Sequence, residues 1–358
     1  MNRLEYGEGH SQGVNAMRKR TWTVIRRIPI RMGVLIVLII FGSGPAKGEN
    51  ITSVRVGALQ KDFLVIGHRG AAGLAPENTL AAFKRALDLG VDAVELDVQL
   101  SADRSVIVYH DFTLKPEIAR TPDGEWLDMW TGLPIVNLTL DELKTYDVGR
   151  IKPYSEYAGR NPDQIPKDGE RIPTLQEVIE LIRSHVKVKT RIWIEIKTSP
   201  EKVEVSSRPD TVAESVVKLL QQERFTERVR ILSFDWRALV HIQEIAPDLP
   251  TVYLSNTAGR SNNIKPGLPG PSPWTAGFDV DDFNGSIPRT VKAAGGRFWA
   301  PRYNQVTFDL IKEAHRLGIR VFVWTVDRRD DMIRLMKMGV DGIITNRPDI
   351  LNSVLNRF

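Results

Sequence analysis

The sequence predicts an α/β chain closed into a TIM-type (β/α)8 barrel, with a long inserted loop region after the second strand. Three observations carry that expectation. Short β-rich runs alternate with helical segments from residue 63 almost to the C-terminus, the pattern of a parallel sheet covered by helices. The chain has 358 residues, and a single closed barrel suits that length. The strand candidates number nine for eight barrel places, and one short link accounts for the excess.

The strand candidates are FLVIGH (63–68), AVELDVQL (93–100), VIVYHD (106–111), IWIEIK (192–197), RILSF (230–234), TVYL (251–254), RFWA (297–300), VFVWTV (321–326) and GIIT (342–345). Only SADRS joins the second to the third. A parallel crossover needs a dozen or more residues, so these two must form an antiparallel hairpin. VIVYHD is therefore expected outside the ring, folded back over the end of its partner. Helical patterns lie between most of the others, at about 78–89, 174–184, 210–224, 236–246, 307–317 and 329–338. Residues 112–173 are rich in Pro, Gly, Asp and Tyr and show one helix, at about 139–146; they read as an insertion in a βα loop. Residues 257–285 form a second such loop. Long insertions in a barrel gather at its catalytic face.

The amino terminus reads differently. Residues 18–31 are basic, Met32–Phe41 is an uncharged apolar run, and small residues follow in GSGPAKG. This is the layout of a secretory signal, with cleavage expected after Gly48 and a folded domain from residue 49 onward. An uncleaved membrane anchor is the main alternative, and ten apolar residues are short for a span. The expected location is thus exported, periplasmic or secreted, with membrane contact only through this segment if it stays uncleaved. The net charge of +5 comes from the same region. Residues 1–48 hold eight basic and two acidic side chains, so the rest sums to about −1. A folded part so close to neutral gives no ground for nucleic-acid binding. The chain has no cysteine, which excludes disulfides, thiolate metal sites and cysteine nucleophiles.

The chemistry concentrates at strand ends. Side chains alternate along a strand, so Glu95 and Asp97 share one face while Val94, Leu96 and Val98 share the other. IWIEIK repeats the pattern, with Glu195 and Lys197 on one face and Ile194 and Ile196 on the other. Three inward carboxylates form an oxygen site suited to one divalent cation, Ca2+ or Mg2+. A buried salt-bridge network of Glu95, Asp97, Glu195, Lys197 and Arg69 fits the spacing equally well. His68 and His110 each sit where a strand gives way to a loop. Two imidazoles flanking a scissile phosphate would serve as general base and general acid; satisfied structural histidines are the alternative. Arg69 has the planar fork to hold phosphate oxygens, and Lys197 adds a point charge. His10, His185, His241 and His315 lack such surroundings and take no role.

The order HRG (68–70), ENT (77–79), ELD (95–97), HD (110–111) and EIK (195–197) resembles the glycerophosphodiester phosphodiesterase family. The resemblance continues through RTPDGEWL (120–127), RIPTLQEVIELI (171–182), VFVWTVD (321–327) and GVDGIITNRPD (339–349), and so covers about residues 63–350. It implies a metal-dependent phosphodiesterase-type barrel that hydrolyses a small glycerophosphodiester to glycerol 3-phosphate and an alcohol. Carried across, His68 and His110 are the acid/base pair, Glu95, Asp97 and Glu195 hold the cation, and Arg69 and Lys197 contact phosphate. Glu77 joins the site through its place in ENT, or else is an acid favoured near a helix N-terminus. Trp324 matches an aromatic near the glycerol group, or else is a buried barrel residue. Phe234 and Trp299 read as packing. The stretch DFTLKPEIARTPDG after His110 is longer than the family's usual link. It and the insertion to residue 173 are expected to shape the alcohol side of the pocket. Two rival functions remain: a phospholipase D-like hydrolase of lysophospholipids, and a catalytically silent envelope binding protein.

Overall fold

The computed structural model describes residues 63–357 except Met129, Thr131 and residues 186–188. The expected secretory signal lies outside the described residues. Nine strands are present among them: β1 (Leu64–Gly67), β2 (Ala93–Leu100), β3 (Val106–Val108), β4 (Arg191–Ile196), β5 (Val229–Ser233), β6 (Thr251–Ser255), β7 (Phe298–Pro301), β8 (Arg320–Val323) and β9 (Gly342–Thr345). Eight of them pair in parallel in the order β1-β9-β8-β7-β6-β5-β4-β2, and β2 pairs back to β1. That closure makes a (β/α)8 barrel and leaves the ring without a free edge.

The ninth strand is the one the short SADRS link singles out. β3 runs antiparallel to β2, with Val98 opposite Val108 and Leu100 opposite Val106. Two elements share that side of β2. Its early residues pair with β1, while its last three pair with β3. The chain leaving β3 therefore runs back toward the end of β1, which brings His110 toward His68.

The helices cover the ring in the expected order: α1 (Leu80–Asp88), then α2 (Leu140–Leu143) and α3 (Glu156–Arg160) within the insertion, then α4 (Leu175–Ser184), α5 (Pro209–Gln222), α6 (Trp236–Ile245), α7 (Ile287–Ala293), α8 (Phe308–Arg316), α9 (Arg329–Met338) and α10 (Pro348–Leu355). Their starts have local causes. The Thr79 hydroxyl accepts from Ala82 N at the head of α1. Thr139 with Glu142, and Thr174 with Glu177, form reciprocal capping boxes at α2 and α4.

Strand parity decides what lies inside the barrel. Ile66, Ala93, Trp193, Leu232, Val252, Ala300, Phe322 and Ile344 fill its interior. Trp193 and Phe322 meet edge to face, with ring centroids 4.8 Å apart. The opposite faces, such as Val94, Leu96, Val98, Ile192, Ile194 and Ile196, pack on the helices.

Residues 112–173 carry an apolar cluster of their own. Ile107 and Tyr109 beside β3 pack with Leu114, Ile118, Leu127, Ile135, Leu143, Val148 and Ile172. Arg120 ties this region to distant acids, reaching Asp147 at 2.6 Å and Asp168 at 2.7 Å, while Arg150 takes the other Asp168 oxygen at 2.7 Å. The long stretch thus packs as a structured cap. No described helix is long and apolar enough to cross a membrane.

The turn after β1 depends on glycine. Gly70 has φ +85°, and a Cβ there would lie 2.6 Å from the Ala82 carbonyl carbon of α1. Gly70→Ala is expected to destabilise the fold by more than about 1 kcal/mol, since strain and a backbone clash coincide. Urea unfolding checks this, and an unchanged midpoint would count against the close approach.

Candidate active site

Two residues beyond the interior layer, the same inward parity delivers polar groups to the barrel mouth. Ile66 is followed by His68, Trp193 by Glu195 and Lys197, Phe322 by Trp324, and Ile344 by Asn346. Ala93 is followed by Glu95 and Asp97 on β2. In register, Asp97 lies beside Glu195 on the neighbouring strand. The three carboxylates offer oxygens that all lie within 4.8 Å of one another, and all three side chains are buried.

Cations hold this cluster on two sides. Arg69 Nη1 lies 2.8 Å from Glu77 Oε1, and its Nε lies 3.3 Å from Asp97 Oδ2. Lys197 Nζ lies 2.7 Å from Glu195 Oε1 and 3.7 Å from Asp97 Oδ1. The Arg69 backbone N–H also donates to Glu95 at 2.9 Å. Burial opposes the charge of Lys197, but the carboxylates of Glu195 and Asp97 outweigh it and raise its pKa. Burial likewise opposes ionisation of Asp97. The charges of His110, Arg69 and Lys197 and a hydrogen bond from Asn78 prevail, so its carboxyl stays well below the usual range. Glu95 goes the other way. Burial first, then the Asp97 and Glu195 charges, push its carboxyl well above the ordinary carboxylate range.

The donor set fits a divalent cation. Four buried carboxylates, Glu77, Glu95, Asp97 and Glu195, face two cations, Arg69 and Lys197. Fully ionised, they would leave two negative charges over, which is the charge one divalent ion supplies. Asp97 Oδ1 is buried and makes no hydrogen bond, which fits an oxygen that would ligate a cation. Both arrangements expected from the sequence are therefore present in part, because the salt-bridge network is real but leaves the acids in excess.

The two histidines sit in different surroundings. His68 Nδ1 lies 2.6 Å from Asn346 Oδ1. The Asn346 amide donates through Nδ2 to Asp327 at 2.7 Å, so its oxygen faces the imidazole and His68 Nδ1 must carry the proton. The lone pair is then on Nε2, 4.0 Å from Glu95 Oε2. Burial, followed by the Arg69 charge, lowers the His68 pKa to about 3, so the ring is neutral at ordinary pH. His110 Nδ1 instead lies 2.9 Å from Asp111 Oδ1, with Lys115 Nζ 3.8 Å from the other Asp111 oxygen. Burial opposes ionisation of Asp111. The hydrogen bond and charge of His110, then Lys115, hold its carboxyl below the usual range.

His68, Arg69, Glu95, His110, Glu195, Lys197 and Trp324 line one bay of about 90 Å3, closed by Leu232, Phe234, Leu254 and Ile344. The Phe234 and Trp324 rings meet edge to face at 5.2 Å. Phe234, expected as packing, thus belongs to the wall, while Trp299 is buried with its Nε1 on Ser255. His110, Glu195, Lys197, Phe234 and Trp324 also border a larger cavity of about 570 Å3. Phe112, Lys115, Lys202, Asn262 and Trp274 enclose it, so both long loops contribute to its wall.

Two expected site residues do not line the bay: Asp97, which belongs to the triad beside it, and Glu77. The Glu77 carboxylate is taken by Arg69 and by the Tyr157 hydroxyl. There it neutralises and orients Arg69. Three polar residues lacked a role in the sequence reading. Asn78, with φ +55°, donates to Asp97 Oδ2 at 2.9 Å. Asn346 and Asp327 fix His68. Parity with Ile344 could have found Asn346, and the ENT motif already contained Asn78. His185, His241 and His315 pair with surface acids away from this site.

Residues 68–350 match the Glycerophosphoryl diester phosphodiesterase family. The chain belongs to this family. A glycerophosphodiester phosphodiesterase of Caldanaerobacter subterraneus subsp. tengcongensis is 34% identical over 294 residues, which is 82% of this chain and 98% of that protein. A glycerophosphodiester phosphodiesterase of Bacillus subtilis is 26% identical across 94% of this chain and 99% of its own. The solved structure of a protein from Silicibacter pomeroyi DSS-3 that carries the family's designation has 34% identity and a TM-score of 0.73. That match covers 82% of this chain and 93% of the other.

Proposed function

We propose that this chain hydrolyses glycerophosphodiesters to glycerol 3-phosphate and an alcohol, by acid–base catalysis at a cation-binding site. Membership of the family supports the substrate class. The observation that carries the chemistry is one bay lined by two imidazoles, Glu95, Glu195, Arg69 and Lys197, with Asp97 completing the carboxylate triad beside it.

Arg69 and Lys197 hold the phosphoryl oxygens in this reading and offset the charge that grows on them in the transition state. Glu95, Asp97 and Glu195 would ligate one divalent cation, Mg2+ or Ca2+, which when bound supplies Lewis-acid polarisation of the phosphoryl group. His68 Nε2, kept as a free lone pair by the Asn346 contact, takes the proton from the attacking oxygen as its bond to phosphorus forms. His110 gives a proton to the alkoxide as the bond to the alcohol breaks. Asp111 beside Nδ1 steadies the imidazolium that His110 needs for that step. Leu232, Leu254 and Ile344 seal the inner wall against water.

The test is direct. Purified protein supplied with Mg2+ or Ca2+ should release glycerol 3-phosphate from glycerophosphoglycerol, followed by mass spectrometry. Release of phosphatidic-type products from lysophospholipids alone would transfer the reading to the phospholipase D-like rival. No phosphate-ester turnover with either ion would leave a binding protein.

A further inference from the structure

Beyond the phosphate bay, the larger cavity has a charge pattern that its catalytic role does not require. Its wall carries two lysines away from the carboxylate triad, Lys115 and Lys202. Its acids are Glu195, which belongs to the triad, and Asp111, which is already committed to His110 and Lys115. Lys202 Nζ has no carboxylate at ion-pair distance among the described residues; its neighbour is the Phe112 ring, 5.7 Å away.

Two of the four aromatic side chains on its wall, Phe112 and Phe234, are also spoken for. A quaternary ammonium is held by open aromatic faces. Here Lys202 stands over Phe112, and Lys197 stands 5.8 Å over the Phe234 ring. A cationic alcohol would meet like charge at those faces. Meanwhile the Asn262 amide oxygen accepts from Ile264 N at 3.1 Å and Lys265 N at 2.8 Å, which leaves its Nδ2 as a donor. The Lys202 ammonium and the Asn262 amide N–H line the same cavity and suit an anion, while Lys115 beside them shares its charge with Asp111. The volume, about 570 Å3, is that of a small-ligand site.

We propose that this cavity selects glycerophosphodiesters whose alcohol carries its own anionic group, a phosphate or a carboxylate, with Lys202 as the principal contact and Lys115 as its support. The inference rests on the hydrolase reading above and names the alcohol that reading leaves open. Lys202 is a specificity residue here, since the bond broken lies in the neighbouring bay.

The experiment compares kcat/KM at low salt for four substrates: glycerophosphocholine, glycerophosphoglycerol, glycerophosphoserine and glycerophosphoglycerol phosphate. The phosphate-bearing ester is expected to exceed the choline ester by about tenfold or more, a modest figure for a partly exposed charge contact. Lys202→Gln should erase most of that ratio, mainly by raising KM for the anionic substrate, and 0.5 M salt should shrink it in the wild type. The serine arm separates the two anions: a serine ester that ranks with the phosphate ester supports a carboxylate as sufficient, and one that ranks with glycerophosphoglycerol supports phosphate. A choline ester equal to or better than the phosphate-bearing one overturns the proposal. So does a Lys202→Gln ratio that matches the wild type. Absence of turnover on all four would instead sink the hydrolase reading, and this inference with it.

Discussion

His68→Ala and His110→Ala should each lower kcat by at least about 10²-fold, the usual scale of general acid–base catalysis. The two losses should differ in kind. His68 is assigned the base because Asn346 holds its Nδ1 proton, so Nε2 is a lone pair at neutral pH. His110 is assigned the acid because Asp111 stands 2.9 Å from its Nδ1 and can carry the imidazolium charge. An ester with a nitrophenolate leaving group needs no proton at the departing oxygen. On that substrate His110→Ala should recover most of its loss and His68→Ala should not. Recovery by His68→Ala instead would exchange the roles, and near-wild-type turnover by either variant on the natural ester would remove its role. Circular dichroism of both variants keeps a folding defect from being read as lost chemistry.

Much of this architecture could be read before any coordinates, because two simple periods govern it. The parity of AVELDVQL and IWIEIK put Glu95, Asp97, Glu195 and Lys197 on inward faces, and the barrel places them there. The length of SADRS alone separated β3 from the ring. Less visible were the short helices α3, α7 and α10, the first of which buries no residue and so leaves no apolar stripe to detect.

Side-chain pairing across long separations was also hidden. Arg120, Asp147, Asp168 and Arg150 close the insertion on itself, yet nothing in their spacing names them as partners. Asn78, Asn346 and Asp327 escaped for another reason. Asn78 and Asn346 orient a charged or basic neighbour, and a neutral amide in a loop resembles an ordinary turn residue; Asp327 acts on His68 only through the Asn346 amide. The larger cavity draws on Phe112, Lys115, Lys202, Asn262 and Trp274, which come from three separate loops. Only closure of the barrel brings them together.

The second large effect concerns the cation. Stripping divalent ions with EDTA should abolish turnover, and adding Mg2+ or Ca2+ back should restore it. Activity alone does not locate the ion, so the decisive variant is Asp97→Asn, which keeps the shape of the side chain and removes its charge. In the wild type, an ion that binds only the folded state stabilises it by about 2.7 kcal/mol at 100 times its Kd, seen as a rise in Tm. Asp97→Asn should lose most of that rise. The salt-bridge alternative makes the opposite forecast. If Arg69 and Lys197 alone satisfied the acids, the stripped enzyme would stay active and the variant would respond to added ion as the wild type does. The excess of carboxylates argues against that outcome. Without an ion, the Glu95 proton is favoured by burial and by the Asp97 and Glu195 charges. A cation must displace that proton to use the carboxylate. Affinity should therefore weaken as pH falls and strengthen as it rises, with protons released on binding. Calorimetric titration in two buffers of different ionisation enthalpy measures that release, and a pH-independent Kd with no proton count would place the ion somewhere other than this triad.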